Sequence, residues 1–150
     1  MTVGFNHLGQ LGQLGNQMFQ YAITKSVASK LNVPFKIPNH QNVFDDGIGN
    51  RYTILLFDIF KLESLNDFGF VDTQKYVQEK HFHYDETIFD ISPQEDCSLW
   101  GFFQSEKYFK DIENDIRKDF RFTDKLVSSC WSLIKNVDNP IALHIRRGDF

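Results

Sequence analysis

Three glycines at three-residue spacing, Gly9-Gln-Leu-Gly12-Gln-Leu-Gly15, run straight into an apolar stripe with helical period. No other feature constrains the fold as strongly. Over residues 16–31, Phe19, Ala22, Ile23, Val27, Ala28 and Leu31 recur at intervals of three and four, which sets them along one face of a helix. Asn16 is the expected N-cap, and Asn32 with Pro34 ends the helix. Residues 2–11 are expected to hold a strand before the glycines, and residues 33–37 a second one after the helix. Strand, glycine turn, helix and strand make a β-α-β unit with a right-handed crossover.

The same alternation returns later in the chain. Residues 39–52 are polar and contain glycine, so they are expected to form a long loop. The short apolar runs at 54–57 and 68–71 fit either strands or short helical turns. Residues 96–103 (Asp-Cys-Ser-Leu-Trp-Gly-Phe-Phe) read as a buried strand. Ser105 is placed to cap a helix bearing Tyr108, Phe109, Ile112, Ile116 and Phe120, and a further helix from Asp124 carries Leu126, Val127, Cys130, Trp131 and Ile134. After the turn at 136–140, residues 141–145 (Ile-Ala-Leu-His-Ile) read as a strand that ends in Arg146-Arg147-Gly148-Asp149. Strands alternating with helices indicate an α/β layered fold.

Composition narrows the function classes. The formal charge is −4, with 16 Lys and Arg spread along the 150 residues, so no basic stripe marks a nucleic-acid binder. The adjacent arginines Arg146-Arg147, at the end of an expected strand, point instead to a small anionic ligand. Cys97 and Cys130 lack metal-ligand spacing and are expected as free thiols in a reducing compartment. The first residues lack a cationic segment followed by an apolar core, and no apolar run approaches the ~18 residues needed to span a bilayer. The expected location is cytoplasmic, with at most a peripheral membrane contact.

Two features carry chemistry. Ligands of open α/β sheets sit beyond the carboxyl ends of strands, where the sequence puts Arg146 and Arg147. A diphosphate suits two adjacent guanidinium groups, because each offers two parallel hydrogen bonds to phosphate oxygens. A solvated loop and a fortuitous Arg-Gly-Asp tripeptide are the competing readings. The glycine turn before the first helix allows close backbone approach, and a helix start offers free N–H groups to an anion. The run is neither Gly-x-Gly-x-x-Gly nor a phosphate loop, so a tight turn without a ligand stays open. His81, His83 and Asp85 alternate in the manner of metal ligands, but a half-exposed strand explains that spacing too.

The segment Gly12-Gln-Leu-Gly15-Asn16-Gln17-Met-Phe-Gln-Tyr-Ala22 closely resembles the N-terminal signature of bacterial α-1,2-fucosyltransferases. His144-Ile-Arg146-Arg147-Gly148-Asp149 resembles that family's His-x-Arg-Arg-x-Asp motif. Residues 78–85 (Gln-Glu-Lys-His-Phe-His-Tyr-Asp) and 101–112 (Gly-Phe-Phe-Gln-Ser-Glu-Lys-Tyr-Phe-Lys-Asp-Ile) look like its middle blocks. The resemblance implies a metal-independent, inverting transferase that moves L-fucose from GDP-fucose to the 2-hydroxyl of a terminal galactose. It implies two facing Rossmann-like lobes of the GT-B type. Residues 1–138 would form the N-terminal, acceptor-side lobe. Residues 139–150 would supply the first strand and Arg-Arg loop of a nucleotide-sugar lobe that the 150 residues leave incomplete. By motif position, His144, Arg146, Arg147 and Asp149 would bind the donor diphosphate, with Arg147 neutralising the departing GDP. Gly15, Asn16 and Gln17 would approach from the opposite lobe. Gln13 stands where the family usually has glycine, and it would strain the turn if that position needs a positive φ. The competing expectations are a non-catalytic half-enzyme that only binds a glycan or partner, and a transferase with a different donor sugar.

Overall fold

The structure is a computed structural model that describes residues 1–41, 43–45, 51–92 and 94–145. Along the chain come β1 (Val3–Gly4), α1 (Leu14–Leu31), β2 (Phe35–Lys36), the antiparallel pair β3 (Val43–Asp45) and β4 (Arg51–Thr53), and the short α2 (Leu56–Ile59). Then follow β5 (Tyr76–Gln78), a 3₁₀ turn at Glu86–Phe89, β6 (Cys97–Trp100), a 3₁₀ helix at Glu106–Ile112, α3 (Glu113–Asp119) and α4 (Asp124–Ile134). Four strands form a parallel sheet in the order β2-β1-β6-β5. The molecule is therefore α/β, with a parallel sheet flanked by helices, a layout compatible with a Rossmann-like lobe. The expected β-α-β unit is present as β1, α1 and β2.

From β1 the chain crosses to β2 at one edge, and it later returns through β5 at the other edge to β6. The strand order thus reverses between β1 and β6, the place where open α/β sheets bind ligands beyond their carboxyl ends. Val3, Phe5, Cys97 and Leu99 are fully buried in the core. α1 packs against β1 and β2 and also against the 3₁₀ helix 106–112. That double packing explains why Gln17, Gln20, Thr24, Lys25 and Ser26 are buried along with the apolar stripe. Packed on two sides, α1 buries polar residues outside its apolar stripe, which periodicity alone does not reveal.

The polar groups drawn inside are paired. Lys25 Nζ donates to Asp119 Oδ2 at 2.7 Å, and the Tyr21 hydroxyl donates to the same oxygen at 2.8 Å. The other carboxylate oxygen accepts the Ser64 N–H at 2.8 Å. Burial by itself would raise the Asp119 carboxyl, but the bonds from Lys25, Ser64 and Tyr21 outweigh it and hold the group below the usual carboxylate range. Burial, followed by the Asp119 charge, pushes the Tyr21 hydroxyl up. This network joins α1 to the end of α3.

Several local expectations are corrected. The first strand is short, and turns follow it from Asn6 onward. Residues 39–52 contain β3 and β4 rather than only loop, with 42 and 46–50 outside the described residues. Residues 54–57 run into α2, and 68–71 form no strand beyond a bridge from Phe68 to Ile37. The helix after Ser105 starts as 3₁₀ and breaks at Phe109 (φ −133°) before α3. α4 forms as expected, yet its stripe lies open, with Trp131 62% exposed. Residues 141–145 are not a strand: they carry no regular structure, and Ile141 is 94% exposed. A strand needs a neighbour to satisfy its backbone, and this segment pairs with neither edge of the sheet. Among the described residues, no helix is long and apolar enough to cross a membrane.

Candidate functional site

The carboxyl edge of the sheet is built by two connections, β1 to α1 and β6 to the 3₁₀ helix. In the first, Gly12 turns the chain with φ +89°, and a Cβ there would meet Asn16 Nδ2 at 1.8 Å. Glycine is required at this position by conformation and by space. Gln13 follows with φ −86° and ψ −168°, an extended geometry open to any residue. The expected strain at Gln13 is therefore absent. Gln13, not Asn16, is the N-cap, and no side chain caps the helix. The first turn also contains no acidic residue, so the positive end of an 18-residue helix goes unanswered within its own element.

The three motif residues after this turn have different fates. Gly15 is exposed, and a Cβ built on it would touch nothing within 4 Å. Asn16 is half-buried, and its Oδ1 accepts from Gln104 Nε2 at 2.5 Å. Gln17 is 1% exposed; its amide donates to the Thr53 carbonyl at 2.9 Å and accepts the Leu55 N–H at 2.8 Å. Both ends of Gln17 are committed to the backbone at the end of β4 and just beyond it, so its side chain holds the helix start in place. Gln20 does similar work, donating to the carbonyls of Leu11 at 2.9 Å and Gly101 at 3.1 Å. Its own Oε1 is buried without a hydrogen-bond partner.

The second connection is fixed from β5. The Glu79 carboxylate accepts the N–H groups of Phe102 at 2.7 Å and Phe103 at 3.0 Å. Phe103 is fully buried with φ +52°, a strained left-handed geometry for a bulky residue. The two bonds to Glu79, with edge-on contacts from Phe5 and Tyr108 to the Phe103 ring, keep it there. Gln104 is thereby delivered to Asn16. Neither Glu79 nor Gln104 stands out in the sequence, because each acts on a backbone or side chain distant along the chain.

His7 lies just beyond β1, with its ring 4.0 Å from the Trp100 ring and 5.6 Å from the Tyr76 ring. Its Nδ1 is buried without a partner, and burial holds the imidazole below its ordinary pKa. His81 and His83 stack with ring centres 3.7 Å apart, while Asp85 caps the 3₁₀ turn through Thr87. Hydrogen bonds from the Thr87 hydroxyl and N–H keep the Asp85 carboxyl low. Among the described residues, no group of three His, Cys, Asp or Glu side chains is arranged to hold a metal ion. Cys97 is buried and Cys130 exposed, both as free thiols, and burial raises the Cys97 thiol.

His144 is exposed on the unstructured segment that follows α4. Arg146, Arg147 and Asp149 lie outside the described residues. The structure thus brings together Gly15, Asn16 and Gln17 at one helix start. Compared with protein-family models, curated proteins and solved structures, the chain matches none.

Proposed function

We propose that the chain works in glycosyl transfer, as an α-1,2-fucosyltransferase that moves L-fucose from GDP-fucose to the 2-hydroxyl of a terminal galactose with inversion. The observation that carries this reading is the position of the Gly12–Gln17 motif. It forms an uncapped helix start with an open glycine, at the carboxyl edge where the sheet order reverses. Such a start offers N–H groups and partial positive charge to a donor diphosphate. In this reading Gly15 lets phosphate oxygens approach the backbone, Asn16 presents its amide beside them, and Gln17 keeps the turn rigid.

Arg146 and Arg147 supply full positive charge to the same diphosphate, with His144 and Asp149 shaping the donor site. The acceptor oxygen bonds to the anomeric carbon as the bond from that carbon to the diphosphate breaks. The departing electron pair stays on GDP. Preorganised cations at the leaving oxygen are the kind of electrostatic stabilisation that dominates many enzymes. The finer architecture proposed is the N-terminal, acceptor-side lobe of a GT-B transferase over 1–138, with 139–150 beginning the donor lobe. No metal enters the chemistry.

The test is to supply GDP-fucose with a β-galactoside, and to follow GDP release and the anomeric configuration of the product by NMR. The reading predicts an α-linked fucose on the 2-hydroxyl, with GDP formed in equal amount and EDTA without effect. UDP release with UDP-galactose, or GDP release with GDP-mannose, in place of turnover with GDP-fucose would give the transferase another donor.

A further inference from the structure

A cleft of about 560 Å³ runs alongside α1, between the residues Gly15, Met18 and Phe19 and the facing Phe109 and Phe120. Its volume lies in the range of small-molecule sites. Its floor is aromatic, with the Phe19 and Phe109 rings 6.0 Å apart and inclined at 55°. Ring faces carry negative potential, so they attract the slightly positive C–H face of a pyranose.

Charge on the rim selects against ions. Two acids, Glu106 and Glu113, and two bases, Lys110 and Arg117, line the cleft. Arg117 is already engaged by Glu113 at 2.7 Å. A balanced rim has no net field to draw in an anion or a cation, but its carboxylates accept hydrogen bonds from hydroxyls. Glu106, which has no ion-pair partner among the described residues, offers both of its carboxylate oxygens.

The position of the cleft gives it a neighbour. Gly15 is shared between the cleft and the start of α1, and Glu106 opens the helix that leaves β6. The hydrogen bond from Gln104 to Asn16 holds these two ends side by side. We propose that the cleft binds a neutral terminal hexose, with its apolar face on Phe19 and Phe109 and its hydroxyls donating to Glu106. It would seat the acceptor sugar next to the donor diphosphate. That role rests on the glycosyl-transfer reading, whereas sugar binding in the cleft does not.

Saturation-transfer NMR with lactose tests this on the full chain, with sorbitol as an acyclic control. Saturation should reach the ring C–H protons of lactose and not sorbitol. Glu106→Gln should weaken lactose binding about tenfold, the scale of one hydrogen bond to a charged group. Phe19→Leu keeps the apolar volume but removes the ring face, and it should weaken binding several-fold. Dispersed amide spectra establish that both variants are folded. No transfer to lactose, or lactose binding unchanged in both folded variants, overturns the proposal. A parallel titration of the unmodified chain with GDP separates the two ideas: GDP without lactose binding sinks the cleft alone, and lactose without GDP binding sinks the fucosyl reading alone.

Discussion

The side-chain amide of Gln104 donates to that of Asn16 at 2.5 Å, so the loop leaving β6 is tied to the first turn of α1. Two connections that start from neighbouring parallel strands are thereby held as one surface. Asn16 takes this position because Gly12 has no Cβ, which would stand 1.8 Å from the Asn16 amide nitrogen.

The two glycines of the motif should respond in opposite directions to alanine. Gly12→Ala adds a strained left-handed residue, worth about 1–3 kcal/mol, and it also displaces Asn16. Gly15→Ala meets open space in a helical position and should stabilise the fold by roughly 0.5–1 kcal/mol. Urea denaturation of both variants checks this. The donor reading adds that Gly15→Ala, though more stable, binds GDP more weakly, because the new methyl group stands where phosphate oxygens approach.

Gln17→Ala should damage the fold before it damages any ligand site. The Thr53 carbonyl and the Leu55 N–H would both lose a partner in a largely buried setting. Each unsatisfied group costs about 1–3 kcal/mol, so the urea midpoint should drop markedly. Gln17→Glu keeps an acceptor for Leu55 but sets a buried carboxylate against the Thr53 carbonyl, so at pH 7 it should lose at least as much stability as Gln17→Ala.

Asp119→Asn removes the charge that answers Lys25, itself only 8% exposed. Breaking a buried pair by removing one partner costs about 3–5 kcal/mol. The pH dependence has a definite sign. Because the carboxyl of Asp119 is held below its unfolded value, its contribution is complete above about pH 4 and is lost as pH falls through the folded pKa. Denaturation series at pH 7 and pH 3 should show a steeper loss for the parent chain than for Asp119→Asn.

His7 acts in the same direction but at higher pH. Its pKa is lowered by burial, so the unfolded chain takes up a proton at a higher pH than the folded one. Stability should decline as pH drops below about 6.5 and level off below the folded pKa. His7→Phe keeps a ring against Trp100 and removes the titration, and it should flatten that part of the profile.

The sequence made α1, the β1-α1-β2 unit and the buried strand at 97–100 legible, because periodicity and unbroken apolar runs report burial directly. Less visible were features that depend on distant partners. β5 is three residues long, with an alternation too brief to stand out beside Lys75 and Glu79. The burial of Lys25 has no local signal, since nothing near it in the sequence reveals that Asp119 lies opposite. Asn16 has the chemistry of an N-cap, but Gly12 starts the helix earlier and turns Asn16 toward Gln104. The apolar stripe of α4 was read correctly as a stripe, yet a stripe alone does not say whether anything covers it. At 141–145 the alternating pattern promised a strand, and no sheet edge is paired with it.

The account depends most on the helix start at Gly15 and Asn16, together with Arg146 and Arg147, taking the diphosphate of GDP-fucose. Isothermal titration of the full chain with GDP-fucose, GDP and guanosine measures that directly. The prediction is saturable binding of GDP-fucose and GDP, little or none for guanosine, and an affinity reduced about tenfold or more by Arg147→Lys, which lacks the planar fork. Guanosine binding as tightly as GDP, or no binding of either diphosphate, would contradict it.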